Sequence, residues 1–462
     1  MFPKQRSVVV TGLASIPRAP KGLPLLGHVL PLWRRPLDFV DSLRDTGDLV
    51  RVDLGPLPVY FVNSSSLAKE VMVTKGPSFE KGRLFDRMRP LVGNGLANSS
   101  GETHRKHRRL MQPSFHHARI AGYATAMSRE AQAAVDTWKP GQTIAVERAM
   151  AELVINTLAA TMFSADLGRP AVGAVHKNVP VILKTMLMRA VSPKLLDHLP
   201  IPPNRRFDAA TAELLKVIDD VIALTRESGD ADQPDLLSTL LATRDAETGE
   251  SLSDAEIRDQ LMTILFAGSE TTASTLSWAM YEIARHPEVE SRILAEIDAV
   301  VGDDEVGLAH VPQLEYTQRV MDEVLRLHSV TLLMRRATEP VDIGGVTIPT
   351  GTEIAFSLYA LHRDPRVYTD PKMFDPDRWE PERRRHLPRE AYVPFGSGTR
   401  KCIGDAFAST QITITLATIL PRWRLQLVPG RAPHPATAAM PYPDHLPMRV
   451  SPRQATARRT AA

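Results

Sequence analysis

The segment 254–286 constrains what this chain can fold into more than any other stretch. Ser253 and Glu256 form an S-x-x-E capping box at its start, and Pro287 limits its far end. As a helix it would run about 50 Å at 1.5 Å per residue. Helices of that length usually belong to coiled coils or membrane spans. This one has no heptad and carries Arg258, Asp259, Glu270 and Glu282, so it is expected to pass through the middle of one large folded unit.

The remaining patterns agree with a single unit. Further helices are read at 118–138, 145–163, 208–228, 287–300 and 313–327. Strand-type runs at 49–54 and 58–62, separated by Gly55 and Pro56, read as a hairpin, and a second strand-like cluster lies at 341–348 and 352–356. The stretch 17–36 is rich in Pro, Gly and Leu and suits an extended lead-in. With 43% apolar residues the chain can bury a large core, and no repeat or Gly/Ser linker divides its 462 residues. A mainly α single domain with small β-sheets is therefore expected over 17–450, with a flexible start at 1–16 and a disordered basic tail at 451–462. A formal charge of +3 leaves no nucleic-acid footprint. No uncharged apolar run approaches the ~18 residues that span a bilayer, so a soluble, cytoplasmic monomer without a membrane anchor is expected.

The chain has one cysteine, which excludes an internal disulfide and any multi-cysteine metal site. Cys402 is left as an inert thiol, a nucleophile or a solitary ligand. Its surroundings, Phe395-Gly396-Ser397-Gly398-Thr399-Arg400-Lys401-Cys402-Ile403-Gly404, match F-x-x-G-x-R-x-C-x-G at every fixed position. Chance alone gives such a match in on the order of one chain in ten thousand. The pattern is coherent for a haem thiolate. Gly398 and Gly404 let the backbone turn tightly and approach a flat macrocycle. Residues 405–420 read as a helix whose N-terminus would lower the pKa of the thiol, and Arg400 can pair with a haem propionate.

On these residues the chain resembles the cytochrome P450 family of haem-thiolate monooxygenases, and the resemblance runs over about 17–450. It implies the single-domain cytochrome P450 fold and haem b (iron protoporphyrin IX) held through its iron by Cys402, with Phe395 and Gly404 beside it. It also implies O2 as co-substrate and electrons ultimately from NAD(P)H. Ala267-Gly268-Ser269-Glu270-Thr271 resembles the family's A/G-G-x-D/E-T oxygen-activation motif. Small Ala267 and Gly268 would let the long helix pass close over the cofactor. Thr271 would bond back to the Ala267 carbonyl and bend the helix, and Glu270 with Thr271 would relay protons as acid and alcohol. Alone, a Glu-Thr pair on a helix is ordinarily a solvated face.

Glu323-Val324-Leu325-Arg326 matches E-x-x-R, common in itself. Pro376-Asp377-Arg378-Trp379 resembles the family's P-x-R-F/W segment and would bring Arg378 to a structural network with Glu323 and Arg326. His104 to Arg108 occupies the place of W-x-x-x-R, with Arg108 as the propionate partner and His104 standing where the family usually has Trp. Arg335, rather than Arg336, aligns as the other propionate partner. A second departure is His328-Ser329, where a proline commonly follows E-x-x-R.

The segments that line the family's distal pocket are apolar here, including Phe85, Met88, Leu91, Met186, Leu265 and Leu332. They suit a compact, hydrophobic small molecule held by shape. Whole-chain character resembles bacterial terpene oxidases of the pentalenene oxygenase type, which implies oxidation of a cyclic sesquiterpene. The open alternatives are a steroid, fatty acid or polyketide substrate, and an isomerase or peroxide-using haem-thiolate protein. Arg105, Lys106, Arg108, Arg109 and Arg119, with Glu102 as the one acid in their interval, would face an acidic ferredoxin or simply form a solvated helix face. No room remains for a fused reductase, so a separate ferredoxin and ferredoxin reductase are expected.

Overall fold

The computed structural model describes residues 12–163, 173–175, 177–179, 181–182, 185, 199–228, 235–245, 247–430, 432–436 and 439–453. Seven helices position the site: α1 (Arg83–Val92), α2 (Gly101–Met111), α3 (His117–Asp136), α4 (Val146–Met162), α5 (Asp254–Arg285), α6 (Glu315–Leu327) and α7 (Asp405–Ile419). Helix α5 has 32 residues and carries its capping box in full. Ser253 Oγ accepts the Glu256 N–H, and the Glu256 carboxylate accepts the Ser253 N–H at 2.8 Å. It runs through the core against α4, α6 and α7, with apolar residues such as Ile257, Leu261, Leu276 and Ile283 buried around it.

The largest sheet has strands β1 (Leu49–Leu54), β2 (Leu57–Val62), β3 (Phe79–Lys81), β4 (Leu333–Ala337) and β5 (Glu353–Phe356), in the spatial order β1-β2-β5-β4-β3. The β1–β2 hairpin is antiparallel as read from sequence, and only β2 and β5 run parallel. One hydrophobic cluster fills the helical part and two smaller ones cover the faces of this sheet.

Three local expectations differ from the structure. The lead-in 17–36 contains a short helix, Val29–Arg34, where Pro31 sits in the first turn and costs no hydrogen bond. Ile16, placed in the flexible start, is buried against the sheet, so ordered chain begins before residue 17. At the other end Pro447–Pro452 forms a strand paired with Trp423–Leu427 and Thr143–Ala145, and the Arg453 N–H donates to the Arg422 carbonyl. Residues 1–11 and 454–462 lie outside the described residues. No described helix is long and apolar enough to cross a membrane.

Candidate active site

A cavity of about 1790 Å³ lies between α5 on one side and the loop before α7 on the other. That volume exceeds the roughly 300–1,000 Å³ of ordinary small-molecule pockets. Cys402 lines it, deep in the protein, with accessible surface that opens into the cavity. Its backbone N–H donates to the Phe395 carbonyl at 2.8 Å, which closes the loop. Contrary to the expected lowering, burial pushes the thiol pKa up. The Gly404 N–H opposes this without overcoming it.

Of the two glycines expected to admit a macrocycle, Gly398 is required instead by a neighbouring segment of chain, and Gly404 is not crowded by protein at all. Gly398 has φ +70°, and a Cβ there would stand 2.2 Å from the Met72 carbonyl oxygen, so only glycine fits. A Cβ on Gly404 would meet nothing nearer than Phe115 at 3.8 Å.

Across the cavity, α5 presents Ala267, exposed in the middle of an otherwise buried helix because the cavity lies against it. The Thr271 hydroxyl donates to the Ala267 carbonyl at 2.7 Å. Gly268 lines the cavity edge, but its missing side chain makes room for Leu158 of α4, which a Cβ would approach to 3.2 Å. Glu270 accepts the Ala439 N–H at 2.8 Å, and burial raises its pKa to about 7 against the hydrogen bonds from Ala439 and Met440.

One rim of the cavity is a cluster of cations. In the β3–β4 register Lys81 stands directly opposite Arg335, a like-charge pairing that is unfavourable unless an anion lies between or beside the two. Arg400, Arg108 and His104 join them in lining the cavity. Among the described residues none of Lys81, Arg108, Arg335 and Arg400 forms an ion pair with a carboxylate. Their hydrogen bonds go to backbone carbonyls and one hydroxyl: Arg335 to Met334, Arg108 to Lys401, and Arg400 to the Ser99 carbonyl and Ser100 Oγ. Burial, then repulsion from Arg335 and Arg400, holds Lys81 well below its ordinary pKa. Burial and then Arg400 bring Arg335 to about 10, and burial brings Arg400 to about 10. Burial followed by Arg400 and Lys81 keeps His104 neutral, with a pKa near 3. Arg336, one residue on, is turned away and fully paired with Glu80, Asp86 and Glu353.

A haem fits this site on three counts. The thiol opens into a space too large for an ordinary ligand alone, a small residue faces it from the opposite helix, and uncompensated cations of the kind that hold two propionates sit at one edge. Cys402 would hold the iron, and Arg108, Arg335, Arg400 and His104 would face the propionates. Lys81 was missed in the sequence reading because its burial comes from tertiary packing rather than from any motif.

The Glu323 network lies outside the cavity. Arg326 donates to both oxygens of Glu323 at 2.8 and 2.7 Å, and to the carbonyls of His362, Pro371 and Met373. Trp379 and Arg378 also reach Glu323, at 3.0 and 3.5 Å. His328, where a proline was expected, stacks on Trp278 with ring centroids 4.0 Å apart and bonds to Glu282 at 3.2 Å.

Of the residues read as a substrate pocket, Phe85, Met88, Leu91 and Leu332 line the cavity. Leu265 does not. It sits with Leu261, one turn earlier, on the core face of α5, while Thr263, Ile264, Phe266 and Ala267 turn toward the cavity. Met186 lies outside the described residues. The basic interval is also less free than its sequence implies. Arg105 pairs with Glu102 within its own helix, while Lys106 pairs with Glu250 and Glu256 and Arg109 with Asp245 and Glu247, acids brought from elsewhere in the chain.

Comparison with known proteins adds to this geometry. The family model described as Cytochrome P450 matches residues 17–450. The chain is 44% identical to cyclooctatin synthase of Streptomyces melanosporofaciens, over 89% of this chain and 90% of that protein. It is 42% identical to cyclooctat-9-en-7-ol 5-monooxygenase of the same organism, over 94% and 95%. Pentalenene oxygenase of Streptomyces avermitilis is 37% identical over 94% and 97%. Among solved structures, the cytochrome P450DA heme domain superposes with a TM-score of 0.84 at 28% identity, covering 95% of this chain and 98% of that one.

Proposed function

This chain belongs to the cytochrome P450 family, and from that premise we propose that it is a monooxygenase inserting one oxygen atom of O2 into an unactivated C–H bond of a cyclic terpenoid, with electrons from a separate ferredoxin and its reductase. The observation that carries the reading is one chamber with the Cys402 thiol on one wall, the Glu270 and Thr271 pair on the opposite wall, and apolar residues between.

Haem, when bound, supplies dioxygen activation and the oxidising power for C–H cleavage. The protein's residues have separate tasks. Cys402 holds the iron as thiolate, and the cation cluster binds and orients the propionates. Thr271, its hydroxyl already directed along the helix, stands where it can pass a proton. Glu270, with a pKa near 7, can release and regain a proton at its carboxylate around neutral pH. Phe85, Met88, Ile264 and Leu332 exclude water and hold the substrate by shape.

The names of the relatives support a terpenoid. The two more similar ones carry cyclooctatin-type names rather than pentalenene, so the reading is of a cyclic terpenoid and not of one skeleton. The electron donor is a proposal resting on family membership. Arg119 and Lys401 remain as exposed cations, though Lys401, next to Cys402, pairs with Asp405.

Two measurements test this reading. Reduced, carbon monoxide-treated holoprotein is expected to show the red-shifted thiolate Soret band, and the Cys402→Ala protein to lack it. Retention of the band in that variant would overturn the ligand assignment. A spectral binding screen of cyclic terpenes against steroids and fatty acids is expected to give high-spin shifts with the terpenes alone.

A further inference from the structure

Helix α1 contributes Leu84, Phe85, Met88 and Leu91 to the chamber wall, yet it is short and half-exposed and has no side-chain cap of its own. Its position is fixed from outside. At its start, Glu353 Oε2 of β5 accepts the Arg83 N–H at 3.0 Å. Gly82 lets the chain turn there, since a Cβ would stand 2.6 Å from that same oxygen and 2.7 Å from Met334 Cβ. At its far end, Asp259 and Gln260 of α5 accept the N–H groups of Asn94 and Leu96, each at 2.8 Å. Between these ends side chains tie the body of the helix to the sheet: Arg336 Nη2 donates to Asp86 Oδ2 at 2.8 Å, and Lys81 Nζ lies 4.1 Å from the centre of the Phe85 ring. The same guanidinium donates to Glu353 at 2.7 Å and to Glu80 at 3.4 Å.

The strand period explains how one stretch of sequence does two jobs. Side chains alternate across a sheet, so Arg335 and Lys81 face the cation rim while Arg336 and Glu80 face the other way. Arg336 is thereby excluded from the cofactor rim and left to reach α1. We propose that Asp86 and Arg336 are positioning residues for substrate selection: their ion pair sets where α1 stands over the chamber and hence the room its wall leaves for substrate. This rests on the reading of the cavity as the haem and substrate site. Neither residue lines the cavity itself, so the effect on a ligand passes through Phe85 and Met88.

The test uses two iron-binding azoles on the haem-loaded full chain. Imidazole is too small to reach α1, whereas clotrimazole carries three aryl rings that must lie against the chamber walls. In Asp86→Asn the affinity for clotrimazole relative to imidazole is expected to fall by about tenfold, as for residues coupled within one network, with recovery in Asp86→Glu. Glu80→Gln removes a partner of Arg336 that does not touch α1 and is expected to leave the ratio unchanged. An unchanged or raised ratio in Asp86→Asn would overturn the proposal. So would an equal fall in Glu80→Gln, which would mean that the strand pair rather than α1 is being perturbed. Wild-type protein that bound neither azole and lacked the thiolate Soret band would instead bring down the parent reading.

Discussion

Single residues decide the chemistry of this site, and those whose roles are local were legible in the sequence. The Thr271 bond to Ala267 follows from helix geometry four residues apart, and the loop of Cys402 follows from its glycines and Phe395. Roles set by distant chain were not legible. Leu265 is turned into the core while its neighbour Ile264 lines the cavity, and Lys81 comes to stand opposite Arg335 only when β3 pairs with β4. Glu270 shows how such surroundings act on pH. Its folded pKa, about 7, lies above that of an exposed glutamate, so the native state binds the proton more tightly than the unfolded chain does. Stability from this group is present at acidic pH and is lost as pH rises from the ordinary glutamate range through about 7. Denaturant unfolding across that window is expected to show the decline, and Glu270→Gln to flatten it. The same variant is expected to remove a step near pH 7 in product formed per electron pair consumed.

At the scale of elements, α5 and the hairpin β1–β2 were readable because their signals are continuous: a capping box, a limiting proline, an alternating strand. Helix α1 was not, since Pro90 lies inside it and its caps come from β5 and α5. The E-x-x-R motif of α6 was readable as spacing but not as consequence. In the fold Glu323 and Arg326 are fully buried, and three backbone carbonyls also depend on the guanidinium. Arg326→Ala would leave the buried Glu323 carboxylate with only the longer Arg378 contact at 3.5 Å as its cation, and those carbonyls unbonded. A loss of about 3–5 kcal/mol is expected, enough to abolish accumulation of folded protein in many domains. Chemical denaturation of Arg326→Ala beside wild type measures it. A loss below about 1 kcal/mol would mean that water replaces the guanidinium.

For the whole molecule, the sequence sufficed for one large helical domain because no Gly/Ser linker or repeat interrupts it. The size and lining of the cavity were not foreseeable, since they depend on where α5, the Cys402 loop and β4 meet. That meeting leaves Lys81, Arg108, Arg335 and Arg400 without carboxylate partners among the described residues. Removal of haem is therefore expected to lower the melting temperature by more than the lost contacts alone, since ligand binding adds about 4 kcal/mol at a thousandfold excess over its dissociation constant. Pyrophosphate at low ionic strength is expected to restore part of the loss, and calorimetry of the haem-free protein with and without it checks this. The lone thiol described at the start of the site has a practical consequence. Because Cys402 is the sole cysteine and its sulfur opens into the chamber, a maleimide or iodoacetamide reagent has one target per chain, and that target is masked when iron occupies it. The mass shift after alkylation thus counts haem-free molecules in any preparation, giving the occupied fraction without reference to absorbance or turnover.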